Sequence, residues 1–119
     1  MLPKKYRINT SRDILNCLQS GTFVHGSYLY LKYIHKEGLE NTDTQFGIVL
    51  SKKKIKHAVD RNRIKRLVYK IIYDLYPCLT PGYQGVFLIQ SGIVEAQASQ
   101  VAYQIQSLLI KANILPKRI

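Results

Sequence analysis

A chain of 119 residues with 46% hydrophobic content has room for one modest core and one domain. No apolar run approaches the about 18 residues that a membrane helix needs, so the partners left for the +11 charge are nucleic acid and an anionic membrane surface, and the core face of the basic helix fits a globular fold better than a membrane-surface helix. Two distant cysteines, Cys17 and Cys78, give neither a disulfide framework nor a metal spacing, which fits the reducing cytoplasm.

Residues 1–9 form a basic arm with Lys4, Lys5 and Arg7, expected to be flexible until it meets phosphate. The stretch MLPKKYRINTSRD has no hydrophobic segment behind its charges and does not read as a secretory signal. Thr10 is placed as an N-cap with Asp13 as its capping-box partner. Ile14, Leu15 and Leu18 then fall at helical spacing, and Gly21 is placed for a left-handed C-cap, giving a helix over 11–20. Thr22 to Val24 reads as strand, His25-Gly26-Ser27 as a break, and Tyr28 to Ile34 as a second strand rich in aromatic and branched residues. Alternation puts Tyr28, Tyr30, Lys32 and Ile34 on one face and Leu29, Leu31 and Tyr33 on the other. Residues 36–44 are polar, hold Gly38 and three of the seven acids, and read as a hairpin loop turned away from any polyanion. Gln45 to Leu50 is a third strand.

The third strand runs into SKKKIKHAVDRNRIKRLVYK, residues 51–70, where nine basic residues stand against one acid, Asp60. Between Ile71 and Ile110 there is no Lys or Arg, so the charge is concentrated. Ile64, Leu67, Val68, Ile71, Ile72 and Leu75 form one helical face. Asn62, Arg66, Tyr69 and Tyr73 form the opposite one, flanked by Lys65, Arg63 and Lys70. An ordinary solvated face mixes both signs, because like charges at i, i+4 repel. Arg61 and Lys65 are such a pair, and Asn62 and Arg66 share a face with no acid between them. An external anion is the expected compensation. The residue before Pro77 avoids helix and ends this one. Thr80-Pro81-Gly82 is a turn, Val86 to Ile89 a buried strand, and a last helix runs from about Val94 with Ala98, Val101, Ala102, Ile105, Leu108, Leu109 and Ala112 as its stripe. The order α-β-β-β-α-β-α predicts an α+β fold, a two-layer sandwich of helices on a sheet in a single domain over 1–119.

Catalytic patterns are missing. His25, His35 and His57 are scattered, with no Cys or Asp at a ligand interval, so no metal site is expected. There is no nucleophile-elbow pattern and no phosphate loop of the GxxxxGKS kind, and no catalytic residue is assigned. Composition indicates a binder. A helix-turn-helix needs a second helix nearby, whereas a strand precedes this one and Pro77 follows it, so RNA is favoured over duplex DNA. Lys and Arg neutralise phosphate, Asn bonds a base edge or 2′-hydroxyl, and nine Tyr and three Phe offer either core filling or stacking platforms for unpaired bases.

The run Arg61-Asn62-Arg63-Ile64-Lys65-Arg66, preceded by Lys52-Lys53 and Ala58, resembles the signature of the protein component of bacterial ribonuclease P. The resemblance extends over nearly the whole chain, from the Leu2-Pro3-Lys4-Lys5 arm to the final amphipathic helix. It implies a left-handed βαβ crossover around the basic helix. It implies partnership with ribonuclease P RNA and precursor tRNA, with no obligatory protein partner, in removal of the 5′ leader. Magnesium would be bound by the RNA subunit, which performs the hydrolysis. The catalytic-RNA contacts would be Lys52, Lys53, Lys54, Lys56, Arg61, Asn62, Arg63, Lys65 and Arg66. The single-stranded leader would lie between the first helix and the sheet, at Arg7, Arg12, Phe23, Tyr28 and Tyr30. The charge pattern alone leaves two other classes open: a ribosome-associated RNA-binding protein, and a nuclease that acts without RNA.

Overall fold

Four segments with branched and aromatic residues pair into one sheet, and three amphipathic helices bury their apolar stripes against it. The computed structural model describes residues 2–36 and 43–116. In chain order these are α1 (Ser11–Ser20), β1 (Thr22–Val24), β2 (Leu29–His35), β3 (Gln45–Val49), α2 (Ala58–Leu75), β4 (Tyr83–Ile89) and α3 (Ala98–Lys111), the order predicted from sequence.

The sheet order is β1-β2-β4-β3. Strand β4 runs antiparallel to β2, from Leu29↔Ile89 to His35↔Tyr83, and parallel to β3, from Gln45↔Gln84 to Val49↔Leu88. Strands β2 and β3 are therefore not the hairpin that the sequence reading expects, because β4 lies between them. The reason is burial. Val86, Phe87 and Ile89 are all buried, as in a central strand covered on both faces, and such a strand takes partners on both edges. Residues 37–42 of the connection, with Glu37 and Glu40, lie outside the described residues, so their expected orientation does too.

Leu29, Leu31, Phe46, Phe87 and Ile89 on one sheet face share a core with Ile64, Val68, Ile71 and Ile72 of α2 and Val101, Ile105, Leu108 and Leu109 of α3. The Phe46 and Phe87 rings stack at its centre, 5.8 Å apart. This is the main two-layer packing. On the other face, Val86, Ile8 and Cys17 form a smaller cluster with Ile14, Leu18, Ile34 and Val49, so α1 adds a partial third layer. Helix α1 starts at the expected Thr10 cap, with the Asp13 amide donating to Thr10 Oγ1 at 3.2 Å. The reciprocal half of the expected capping box is missing among the described residues, and the Asp13 carboxylate lies 3.6 Å from Lys36 Nζ.

Three local expectations change. Gly21 is extended (φ −74°, ψ 155°), not left-handed. Its amide donates to the Cys17 carbonyl, and a Cβ there would sit 2.3 Å from that oxygen, so the position needs space and not a special φ. Helix α3 begins at Ala98, because a 3-10 turn over Ser91–Glu95 intervenes and Gln97 with Gln100 forms a reciprocal capping box. The arm over 1–9, expected to be free, is docked in its described part. Leu2 and Ile8 are buried, and the Ile8 amide donates to the Phe46 carbonyl at 2.9 Å along the edge of β3. Tyr6 stacks on Tyr76 with centroids 3.6 Å apart, and the Tyr76 hydroxyl donates to the Thr44 carbonyl. Apolar residues threaded through a basic run, beside an open strand edge, supply the anchor.

Burial pushes the Cys17 thiol up from 9.0 to about 11; Asp13 adds to this and Lys36 opposes it. The raised value favours the neutral thiol in the fold. Its contribution is therefore complete below about pH 9 and declines as pH rises toward 11. A thiol reagent at pH 8 should label exposed Cys78 quickly and Cys17 only after unfolding; two fast thiols in the folded protein would contradict the packing of α1.

Candidate nucleic-acid interface

The basic stretch is anchored before it is presented. Ile55 is buried in the midst of the lysines, and its amide donates to the Ser51 carbonyl at 3.0 Å. Lys52, Lys53, Lys54 and Lys56 consequently point outward from a pinned turn. Arg61 locks this turn to α2. Its Nη1 donates to the Ile55 and Lys56 carbonyls, both at 2.8 Å. Arg63 lies 3.6 Å from Asp60 and donates to the Val94 carbonyl at 3.2 Å, tying α2 to the turn before α3. Lys54 donates to Gln90 Oε1 at 2.8 Å.

Asn62, Lys65 and Arg66 are different. All three are exposed, and among the described residues their side chains make no hydrogen bond or ion pair. The charges of this stretch gather around the α2 N-terminus, where the helix dipole disfavours cations. Arg63 has Asp60 and Lys70 has Asp74 as counter-ions, but among the described residues neither helix stability nor a protein counter-ion accounts for Lys65 and Arg66. The arginines thus differ in role. Arg61 and Arg63 build the surface, and Arg66 shares with Lys65 a charge that is unpaired among the described residues.

Tyr69, placed by the helical pattern on the outer face, is buried. It lies on the flank of the apolar stripe, in the same cluster as Leu2 and Tyr6 of the docked arm. Its phenol is held above the ordinary range by burial, with the Arg7 guanidinium pulling the other way. Arg7 bridges Phe46, whose side chain faces α2, so Arg7 belongs to the α2 side of the sheet.

On the opposite face a second surface forms between β1, β2 and α1. Phe23 pairs in register with Lys32 and is 49% exposed. Its ring meets Tyr30 edge-on at 5.3 Å, and His25 stacks on Tyr30 at 4.7 Å. Lys32 donates to the Leu18 carbonyl at 2.6 Å, which fixes the last turn of α1 over the sheet. Of the five residues expected at a leader cleft, only Phe23 and Tyr30 come together here. Arg7 is on the α2 side. Arg12 is on the outer, polar side of α1 with Asn16 and Gln19. Tyr28 precedes β2, escapes its alternation, packs against the main core, and lines a groove at α3 with Ser27, Tyr103 and Gln104. Sequence reasoning misses His25, because it sits in the break between strands where no periodicity applies. Among the described residues no three His, Cys, Asp or Glu side chains converge as metal ligands, and no helix is long and apolar enough to cross a membrane.

A basic α+β protein with a cationic helix face on one side and an aromatic strip on the other has the surface chemistry expected of a nucleic-acid-associated protein. Comparison narrows the class. The family model described as Ribonuclease P matches residues 2–113. The Ribonuclease P protein component of Microcystis aeruginosa is 33% identical over 96% of this chain and 96% of its own length. That of Rippkaea orientalis is 34% identical over 96% and 91%. The fold is shared with a Staphylococcus aureus RNase P protein mutant (TM-score 0.85, 20% identity, 94% and 92% covered). It is shared also with the Thermotoga maritima RNase P protein (TM-score 0.76, 21% identity, 88% and 96% covered). The chain belongs to the Ribonuclease P protein family, whose place is in tRNA processing.

The division of the arginines has a measurable outcome. Arg61→Ala should lower folding stability by about 1–3 kcal/mol, because two carbonyls lose a charged donor. Arg66→Ala should stay within about 0.5 kcal/mol of the parent. Denaturant melts of the two variants check this, and equal losses would contradict it.

Proposed function

We propose that this chain acts as the protein subunit of ribonuclease P by holding two RNA segments on opposite sides of one sheet. The α2 side binds the catalytic RNA. Asn62, Lys65 and Arg66 make direct contacts, and Lys52, Lys53, Lys54 and Lys56 add phosphate neutralisation from the pinned turn. Arg61 and Arg63 hold that surface in shape. The α1 side takes the single-stranded 5′ leader of precursor tRNA against Phe23, His25 and Tyr30, with unpaired bases stacking on the rings. Arg12, exposed on α1, adds a cation at the rim of that side.

The observation that carries this reading is the set of exposed, same-signed groups, unpartnered among the described residues, on a helix whose other face is locked in the core. Two polyanions approaching each other repel, and fixed ammonium and guanidinium groups between them lower that cost. The reaction assigned to the complex is endonucleolytic removal of the leader in the cytoplasm. Magnesium bound by the RNA would supply the hydrolytic chemistry, and no step is assigned to a protein-bound metal. The protein's own work is to bind, to orient the leader, and to screen charge.

Precursor tRNA cleavage by catalytic RNA alone and with the protein, at low and at high magnesium, tests the screening role. The protein should accelerate cleavage most at low magnesium. No gain there would overturn the proposal, and cleavage by RNA-free protein would replace it with a protein nuclease. Asn62→Ala and Arg66→Ala should each weaken binding of the catalytic RNA by about 1–3 kcal/mol, read by filter binding at fixed salt.

A further inference from the structure

Beyond the end of the cationic face, α2 carries Tyr73, which is 53% exposed. The docked arm brings Tyr6 to the same place, where it stacks on Tyr76. Together with Asp74 and Pro77 these rings line an open groove of about 520 Å³ between the arm and the C-terminal end of α2. At 100° per residue, Asn62, Arg66 and Tyr73 lie on one row of the helix, so the groove continues the row that carries the unpartnered charge. Charges of both signs stand near it. Lys4 and Lys5 are exposed on the arm, and Lys5 Nζ sits 5.0 Å over the Tyr6 ring. Asp74 is the one acid in the lining among the described residues, and Asp43 is close enough to act on the Tyr76 phenol. Lys70 lies 3.2 Å from its Oδ2, while Oδ1 has no partner among the described residues.

Resting on the RNA-binding reading of α2, we propose that this groove captures one unpaired base of the RNA docked on that helix. Tyr73 supplies the stacking face. Lys5 and Lys4 meet the flanking phosphates. Asp74 Oδ1 accepts from an N–H of the base edge, which favours a base with donors there. The chemistry of the site selects this occupant. An aromatic face with adjacent ammonium groups suits a base joined to phosphate, and the row of α2 leads an RNA strand to it. An acidic or apolar peptide would leave either the rings or the lysines unused. Docking of the arm through Leu2 and Ile8 then serves RNA binding as well as the fold, because it builds one wall of the groove.

The test uses the full chain, ribonuclease P RNA, and the variants Tyr73→Ala, Tyr73→Phe and Arg66→Ala. Tyr73→Ala should weaken RNA binding about 5- to 150-fold, the range for loss of one base–aromatic stack. It should leave the salt dependence of binding unchanged, since no charge is removed. Chemical probing of the RNA should show one unpaired nucleotide losing its protein-dependent protection. Tyr73→Phe, which keeps the ring, should restore both affinity and protection. Parental affinity for Tyr73→Ala, or a loss in Tyr73→Phe equal to that in Tyr73→Ala, would overturn the groove. If Arg66→Ala still weakens binding, the α2 interface stands without it. If Arg66→Ala is also silent, both fall together.

Discussion

Helix α2 is constrained from two directions. Ile64, Val68, Ile71 and Ile72 commit one side to the core, each at or below 9% exposure. That commitment fixes the rotation of the helix and forces Asn62, Lys65 and Arg66 outward as a rigid set. A mobile segment of the same composition would lose side-chain and backbone freedom on every binding event. The core has already met that cost on folding, so the charges are preorganised.

The parallel pairing of β3 with β4 gives this helix its position. A chain leaving β3 must cross back to re-enter the sheet beside it, and α2 is that crossing. The lysine turn sits at the point of departure, with Ile55 as its nail and Arg61 as its brace. The same sheet offers its other face to α1, where Lys32 tethers the last turn of the helix. One four-stranded sheet thereby keeps two surfaces of different chemistry apart. The charged surface suits folded RNA with dense phosphate. The aromatic one suits a strand whose bases are unpaired.

Much of this was legible in the sequence, because long amphipathic elements carry strong periodicity. The order of all seven elements, the apolar face of α2 and the Thr10 cap follow from spacing and from capping chemistry. Strand partners do not, since pairing is a choice made in space; β4 looks like the last strand in sequence and is central in the sheet. Tyr69 illustrates a second limit. A residue at the margin of a helical stripe is buried or exposed according to what else packs there, and the docked arm lies beyond the reach of periodicity. Tyr28 and His25 show the third. Both stand at strand ends, where alternation gives no direction. The cationic cluster was plain from composition, but its division into braces and free charges required the carbonyl oxygens of Ile55, Lys56 and Val94, which no side-chain pattern encodes.

The central claim is that the free face of α2 is neutralised by RNA. Lysine acetylation rates, resolved by residue in the free protein and in its complex with ribonuclease P RNA, address it directly. Lys65 projects from α2 and Lys111 from the end of α3, and both are exposed. The account predicts that RNA strongly slows modification of Lys65 and leaves Lys111 near its free rate. Equal rates at Lys65 with and without bound RNA would contradict it.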